Sequence, residues 1–315
     1  VLITKPIEEK LAKIPLINLI VKLLKKLKLP GLEGLSFYDL AELYIIGIAK
    51  GALTTRASAI AFNFFMALFP FLLFVLIIIP YVPIDDFKIE FLHFLDSFLP
   101  PNTSEFFKQN IFENIDQSQR GGLLSSVFIL SIVLMANGVN AVFSGFENSY
   151  HEQLARNVFK QYMYAMSIAL ILAFLLIITI IVLGYIQIYV VQELLNALED
   201  RGYHVDSDGV FWASVVTYMF FVIMVYIATA TLYYFGTREG RDSKFFSVGA
   251  IFTTLLIMLT SYLFGVYIEN FGQFNKLYGS IGALLILLFY MWLNANILLL
   301  GYELNASLNK LRKTR

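Results

Sequence analysis

The sequence predicts an all-α membrane protein with six transmembrane helices, N-terminal interfacial amphipathic helices and a helical extracytoplasmic segment between spans one and two. Three observations predict it. Of the 315 residues 58% are hydrophobic and only 15% charged, and the mean hydropathy is +0.72, too little polar surface to coat a water-soluble domain. Stretches free of Asp, Glu, Lys and Arg cover 57–84, 121–146, 161–192, 209–237, 245–268 and 277–302, the shortest 24 residues long. A helix needs about 20 apolar residues to cross about 30 Å of hydrocarbon, so each stretch can cross once. These stretches are continuously apolar rather than alternating, which excludes the strands of a membrane barrel.

Taken in order, residues 1–56 form a cytoplasmic amphipathic region. The run KLAKIPLINLIVKLLKKLKLPG places Leu16, Leu19, Ile20, Leu23, Leu24 and Leu27 at helical spacing beside Lys22, Lys25, Lys26 and Lys28. That pattern predicts a helix lying in the membrane surface, as a basic anchor for anionic lipid, and it lacks the cleavage site of a signal peptide. Pro30 and Gly31 end it, and a second short helix is expected from Ser36 to about Lys50. The transmembrane domain is 57–302, with spans at about 57–83, 121–142, 162–191, 210–234, 245–268 and 279–301. Between the first two spans, in the piece 85–120, Phe87, Phe91, Phe94, Leu95 and Phe98 predict an amphipathic helix over 87–98; PPNTSEF breaks it and caps another carrying Ile111, Phe112 and Ile115. Residues 303–315 are read as a basic cytoplasmic tail. With both ends on one side, that side holds 18 of the 23 Lys and Arg residues, so the positive-inside rule puts both termini in the cytoplasm.

Charges avoid the span interiors, which argues against proton relays and voltage sensing. Polar residues enter near the cytoplasmic ends instead: Arg56, Ser58 and Asn63 in span one, Asn137 and Asn140 in span two, Asn294 and Asn296 in span six. Arg56, Asn63 and Pro70 are spaced by seven and fall near one face; Pro70 frees a carbonyl that a neighbouring helix must satisfy. Spans two and six both end in N-x4-G-x-E, as Asn140, Gly145, Glu147 and as Asn296, Gly301, Glu303. Each helix thereby offers an amide inside the bilayer and a carboxylate at its mouth, for which Arg56 and Arg156 are candidate counter-charges. Amides at such positions also serve as plain interhelical glue. Gly279, Gly282 and Ala283, at the outer start of span six, permit close helix packing.

The net charge is zero, with 23 basic and 23 acidic residues, so there is no global field to collect nucleic acid. The chain has no cysteine, and its three histidines, His93, His151 and His204, fall on different loops and on both sides of the expected membrane. Clustered ligands for a metal-dependent nuclease are therefore not expected, and no phosphate-binding loop, nucleophile elbow or H-E-x-x-H helix occurs. No catalytic residue, metal or cofactor is expected, and the chain is read as not an enzyme.

Three segments carry a family resemblance. RASAIAFNFFMALFPFLLFV in span one, NAVFSGFENSYHEQLARNVF after span two and YGSIGALLILLFYMWLNANILLLGYELNAS in span six resemble the signature regions of the YihY/virulence factor BrkB family, formerly labelled ribonuclease BN. By that resemblance Arg56, Ala57, Ala61, Phe62 and Pro70 match the first motif and Asn148, Tyr150 and Arg156 the second. Tyr278, Gly279, Gly282, Ala283, Trp292, Gly301, Glu303 and Leu304 match the third, while Tyr302 stands where a small residue is expected. The resemblance implies a multi-pass protein of the bacterial inner membrane that handles or transports lipid or envelope precursors. Its expected partners are membrane lipids, an anionic phospholipid or lipopolysaccharide precursor among them, and no nucleic acid. In that picture Arg56, Asn63, Asn140, Glu147, Arg156, Asn296 and Glu303 form a polar path for headgroups, with Pro70, Gly145, Gly279, Gly282 and Gly301 shaping the helices. The alternative expectation is a membrane scaffold that binds an envelope protein, in which the same polar residues fasten helices.

Overall fold

A computed structural model describes residues 52–78, 121–147, 158–185, 207–236, 245–271 and 281–313, with positions 21, 22, 25, 26, 36 and 38. The expected surface helices before residue 52, the segment 85–120, the three histidines, Arg156 and Gly279 lie outside the described residues, apart from those isolated positions. Within them the chain forms six long helices: α1 Ala52–Ile78, α2 Gly121–Glu147, α3 Val158–Tyr185, α4 Ser207–Gly236, α5 Val248–Phe271 and α6 Ile281–Lys313. Each is long and apolar enough to cross a membrane, and no strand is found among the described residues. This is an all-α membrane protein with six spans.

Consecutive helices are neighbours, and α6 returns to pack on α1, so the six close into a ring; α2 also touches α4 and α6 across it. The core sits at one end, where α1, α3 and α5 begin and α2, α4 and α6 finish. There Leu53, Ala57 and Ile60 of α1 bury against Val142, Phe143 and Phe146 of α2, Ala165 of α3, Tyr233 of α4, Ala250 of α5 and Leu299 and Tyr302 of α6. Toward the other end α1, α2 and α3 stay packed, with the buried Phe74 stacked on Phe128 at 5.1 Å and edge-on to Phe174. The far halves of α4, α5 and α6 instead expose large apolar side chains, among them Tyr218, Met219, Tyr262, Leu263, Leu285 and Phe289. Such surface is stable against hydrocarbon and costly in water, at about 25 cal/mol per Å².

Many hydroxyls inside the spans are satisfied locally. Ser58, Ser167, Thr179, Thr229, Thr231, Thr254 and Ser261 each donate to the carbonyl four residues earlier. That bond lets a hydroxyl sit in an apolar helix without a partner on another element. Pro70 is buried, and α1 continues through it to Ile78.

The tightest crossing joins α5 to α6. A Cβ on Gly301 would collide with Thr253 Oγ1 and lie 2.6 Å from the Tyr233 hydroxyl, and one on Gly249 would strike the Gly301 carbonyl. The Tyr233 hydroxyl donates to the Leu298 carbonyl at 2.6 Å and so takes its 2.6 Å contact with Thr253 as an acceptor. Tyr302, at a place where a small residue is expected, does not spoil this packing. Its ring turns the other way and stacks on Phe146 at 4.2 Å, with Tyr233 edge-on at 6.0 Å. Gly282 is buried near the start of α6.

The helix limits differ from the charge-free windows, most of all in α6. Residues 303–313, expected in a tail, continue the helix because Leu304 and Leu308, four apart, bury against Val248 and Phe252 of α5. In the same extension Asn305 caps its neighbour: its Oδ1 accepts the Gly249 N–H at 2.8 Å and its amide donates to Ser247 Oγ at 2.8 Å. Ser247 in turn accepts the Ala250 N–H at 3.3 Å, closing the start of α5. Replacing Asn305 by alanine removes two bonds of that cap and is expected to destabilise the protein by about 0.5–2 kcal/mol. A thermal melt in detergent reads the loss, and an unshifted midpoint would show that the cap carries no stability.

Candidate functional site

The charge-bearing cluster is built where α1, α2 and α6 meet. Gly145 makes the meeting close, since a Cβ there would lie 2.9 Å from Ile60 Cδ1 and 3.2 Å from Leu299 Cδ2. Gly138, seven residues earlier on the same face of α2, brings Ala67 to 3.2 Å in the same way. With no side chain at 145, the Arg56 guanidinium reaches across. Its Nη1 donates to the Gly145 carbonyl at 2.8 Å and its Nη2 to Glu303 Oε1 at 3.1 Å. The two side chains are 13% and 10% exposed, so this ion pair is largely shielded from solvent. One arginine thus ties the first span to both N-x4-G-x-E helices, through the glycine of one and the glutamate of the other.

Beside the clamp lies a cavity of about 330 Å³ between α1 and α2. Arg56, Ala59 and Asn63 line it from α1, and Asn137, Asn140, Ala141, Ser144 and Gly145 from α2. Asn63 donates one amide N–H to the Ala59 carbonyl at 2.8 Å, which leaves its second N–H and its Oδ1 to offer. Helix α3 sets the opposite wall of α2. The Tyr162 hydroxyl lies 2.7 Å from the Val133 carbonyl, to which it donates, and 3.1 Å from the Asn137 side-chain amide. Gln161 donates to Ser144 Oγ at 3.4 Å. Asn140 has no hydrogen-bond partner among the described residues.

Of the residues singled out from the sequence, Arg56, Asn63, Asn140 and Gly145 share this cavity, and Glu303 joins them through Arg56. Asn296 is not with them: it is buried on α6 and donates to the Trp292 carbonyl at 2.7 Å. Its matching position in the echo, Asn140, lines the cavity, so the two repeats have different uses. Glu147 ends α2 half-buried. Gln161, Tyr162 and Asn305 went unnoticed, although Gln161 and Tyr162 follow Lys160 at the start of a span and sit at the depth of the asparagines. Among the described residues no three His, Asp or Glu side chains group closely enough to hold a metal ion.

The same two helices expose apolar side chains: Phe62, next to Asn63, and Met66 on α1, and Leu130 and Leu134, one to two turns before Asn137, on α2. What the arrangement offers chemically is a pocket of hydrogen-bond donors and acceptors on helices with apolar outer surface.

Comparison with known proteins follows the same outline. The sequence profile of the Virulence factor BrkB family matches residues 47–315. A ribonuclease-like protein of Bacillus subtilis (strain 168), YfkH, is 24% identical over 262 residues, which is 82% of this chain and 91% of that one. A UPF0761 membrane protein of Psychrobacter sp. (strain PRwf-1) is 26% identical over 133 residues, 41% of this chain and 24% of that protein. A UPF0761 membrane protein of Xanthomonas oryzae pv. oryzae (strain PXO99A) is 36% identical over 64 residues, 20% of this chain and 15% of its own. No solved structure matches the chain.

Proposed function

Because the chain belongs to the Virulence factor BrkB family, matched from residue 47 to the end, we propose that it handles lipids or lipid-linked envelope precursors in the bacterial inner membrane. In this reading both termini are cytoplasmic and the packed end faces the cytoplasm, as the basic residues on that side favour. The observation that carries the reading is the cavity lined by Arg56, Asn63, Asn137 and Asn140, on two helices that also expose Phe62, Met66, Leu130 and Leu134. Polar lining beside apolar surface on the same helices suits a lipid, headgroup in the cavity and acyl chains against the helix wall. The protein supplies a seat and a path; energy for net transport comes from elsewhere. The reading includes no nuclease activity.

The test is lipid movement in proteoliposomes, followed with headgroup-labelled phospholipid. Asn63→Ala and Asn140→Ala are each expected to slow movement roughly three- to tenfold, the worth of one neutral hydrogen bond, without lowering the melting temperature. Unchanged movement in both variants would remove the cavity from the path. The scaffold reading has its own support, since Arg56 bonds the Gly145 carbonyl and Glu303 and so fastens α1 to α2 and α6. On that reading neither substitution changes lipid movement, while assembly with an envelope partner falls.

A further inference from the structure

Resting on the reading that the cavity seats a lipid headgroup, we propose that the lipid enters it sideways from the leaflet around the packed end, the cytoplasmic leaflet on that reading. It stays on the outer side of the α1–α2 contact and does not pass between the two helices into the bundle. The contact itself is shut. At Gly145 a Cβ would lie 2.9 Å from Ile60 Cδ1, and at Gly138 one would lie 3.2 Å from Ala67 Cβ and 3.6 Å from the Asn63 carbonyl. Even a methyl group is crowded along that line, so nothing of headgroup size passes through it while the helices stay packed.

The cavity lies beside this line, not across it. Arg56, Ala59, Asn63 and Met66 follow one another at steps of three and four, so they form one stripe of α1 next to the buried Ala57, Ile60 and Ala67. On α2 Leu130, Leu134, Asn137, Ala141 and Ser144 repeat that spacing next to the buried Gly138, Val142 and Gly145. All of these stripe residues line the cavity except Met66, Leu130 and Leu134, and those three are exposed apolar side chains. Each stripe therefore turns from polar to apolar toward the middle of its span. Asn63 stands six residues inside the charge-free stretch that begins at 57, which at about 1.5 Å per residue sets it roughly 9 Å into the hydrocarbon. A polar seat at that depth, edged by hydrocarbon-facing side chains, is within reach of a molecule already dissolved in the leaflet: its headgroup is drawn inward while its chains remain in the bilayer. Ala59 and Ala141, one on each wall, are the small side chains that keep the seat open.

The experiment uses the full chain in proteoliposomes of phosphatidylethanolamine and phosphatidylglycerol, with a phospholipid that carries a photoreactive diazirine in its acyl chain and a label on its headgroup. Cross-linked peptides are expected to contain Met66, Leu130 and Leu134. Ala59→Phe fills the seat from an exposed position and should cut both that labelling and headgroup movement roughly tenfold. Ala141→Phe plugs it from the other wall, and a melting curve on each variant shows that it is folded. The sequence has no cysteine, so Ala67→Cys with Gly138→Cys introduces a single thiol pair, and its Cβ separation of 3.2 Å needs little adjustment to reach the roughly 3.5–4.5 Å of a disulfide. Oxidation fastens α1 to α2 where they already touch and is expected to leave lipid movement unchanged. Loss of movement on oxidation, restored by reduction, would overturn sideways entry and leave the lipid seat standing. Labelling spread evenly over the exposed side chains of all six helices, and untouched by either plug, would overturn the lipid seat itself.

Discussion

Gly301→Ala is expected to be the most damaging single-methyl change in the described helices. The new Cβ would collide with Thr253 Oγ1, stand 2.6 Å from the Tyr233 hydroxyl and 3.0 Å from the Gly249 carbonyl. None of these can retreat cheaply. Thr253 is held by the Tyr233 hydroxyl, that hydroxyl is held by the Leu298 carbonyl, and the Gly249 carbonyl is backbone. Relief requires α5 to move off α6, which also pulls Gly249 away from the Asn305 cap. The cost should therefore exceed the roughly 1–3 kcal/mol of ordinary overpacking, and the variant should accumulate poorly and melt early in detergent. Gly265→Ala is the internal control, since a Cβ there meets nothing within 4 Å on the same helix as Gly249. It should gain the helix propensity that glycine forfeits, about 0.5–1 kcal/mol. Equal melting temperatures for the two variants would mean that the α5–α6 crossing is not closed as described.

The six spans were legible because hydrocarbon excludes charge, and a charge-free window records that exclusion residue by residue. Helix ends were not, because backbone hydrogen bonding continues past the last apolar residue. In α6 it runs twelve residues beyond 301, held by Leu304 and Leu308 against α5. The candidate site was legible in composition and only partly in geometry. Depth along the spans grouped Arg56, Asn63 and Asn140, and the structure places all three on one cavity. The echo between α2 and α6 suggested equal uses for Asn140 and Asn296, yet their helices have different neighbours. Helix α2 lies against α1 and α3 with Asn140 at a groove, whereas Asn296 is buried in α6. The pairing of Gly249 with Gly301 and of Asn305 with Ser247 spans more than fifty residues and leaves no local spacing to read.

Arg56→Ala is expected to cost up to about 3–5 kcal/mol, because it takes the guanidinium away from a shielded carboxylate rather than merely deleting a surface contact. The Glu303 side chain, 10% exposed, would lose the guanidinium at 3.1 Å, while the Gly145 carbonyl loses a donor at 2.8 Å. Arg56→Lys should restore only part of this, since one ammonium cannot reproduce the two-pronged reach of a guanidinium to acceptors on different helices. The decisive variant is the double one. Arg56→Ala combined with Glu303→Leu removes both charges and should be more stable than Arg56→Ala alone, even though it changes more of the protein. If the double variant instead lost the sum of the two single effects, the pair would be uncoupled and the clamp would have no energetic meaning. The same series separates clamp from lipid seat. Should the double variant regain stability and keep lipid movement, Arg56 and Glu303 serve to hold α1, α2 and α6 together, and the headgroup contacts belong to Asn63, Asn137 and Asn140. Should it regain stability and lose lipid movement, the pair is itself part of what the headgroup meets.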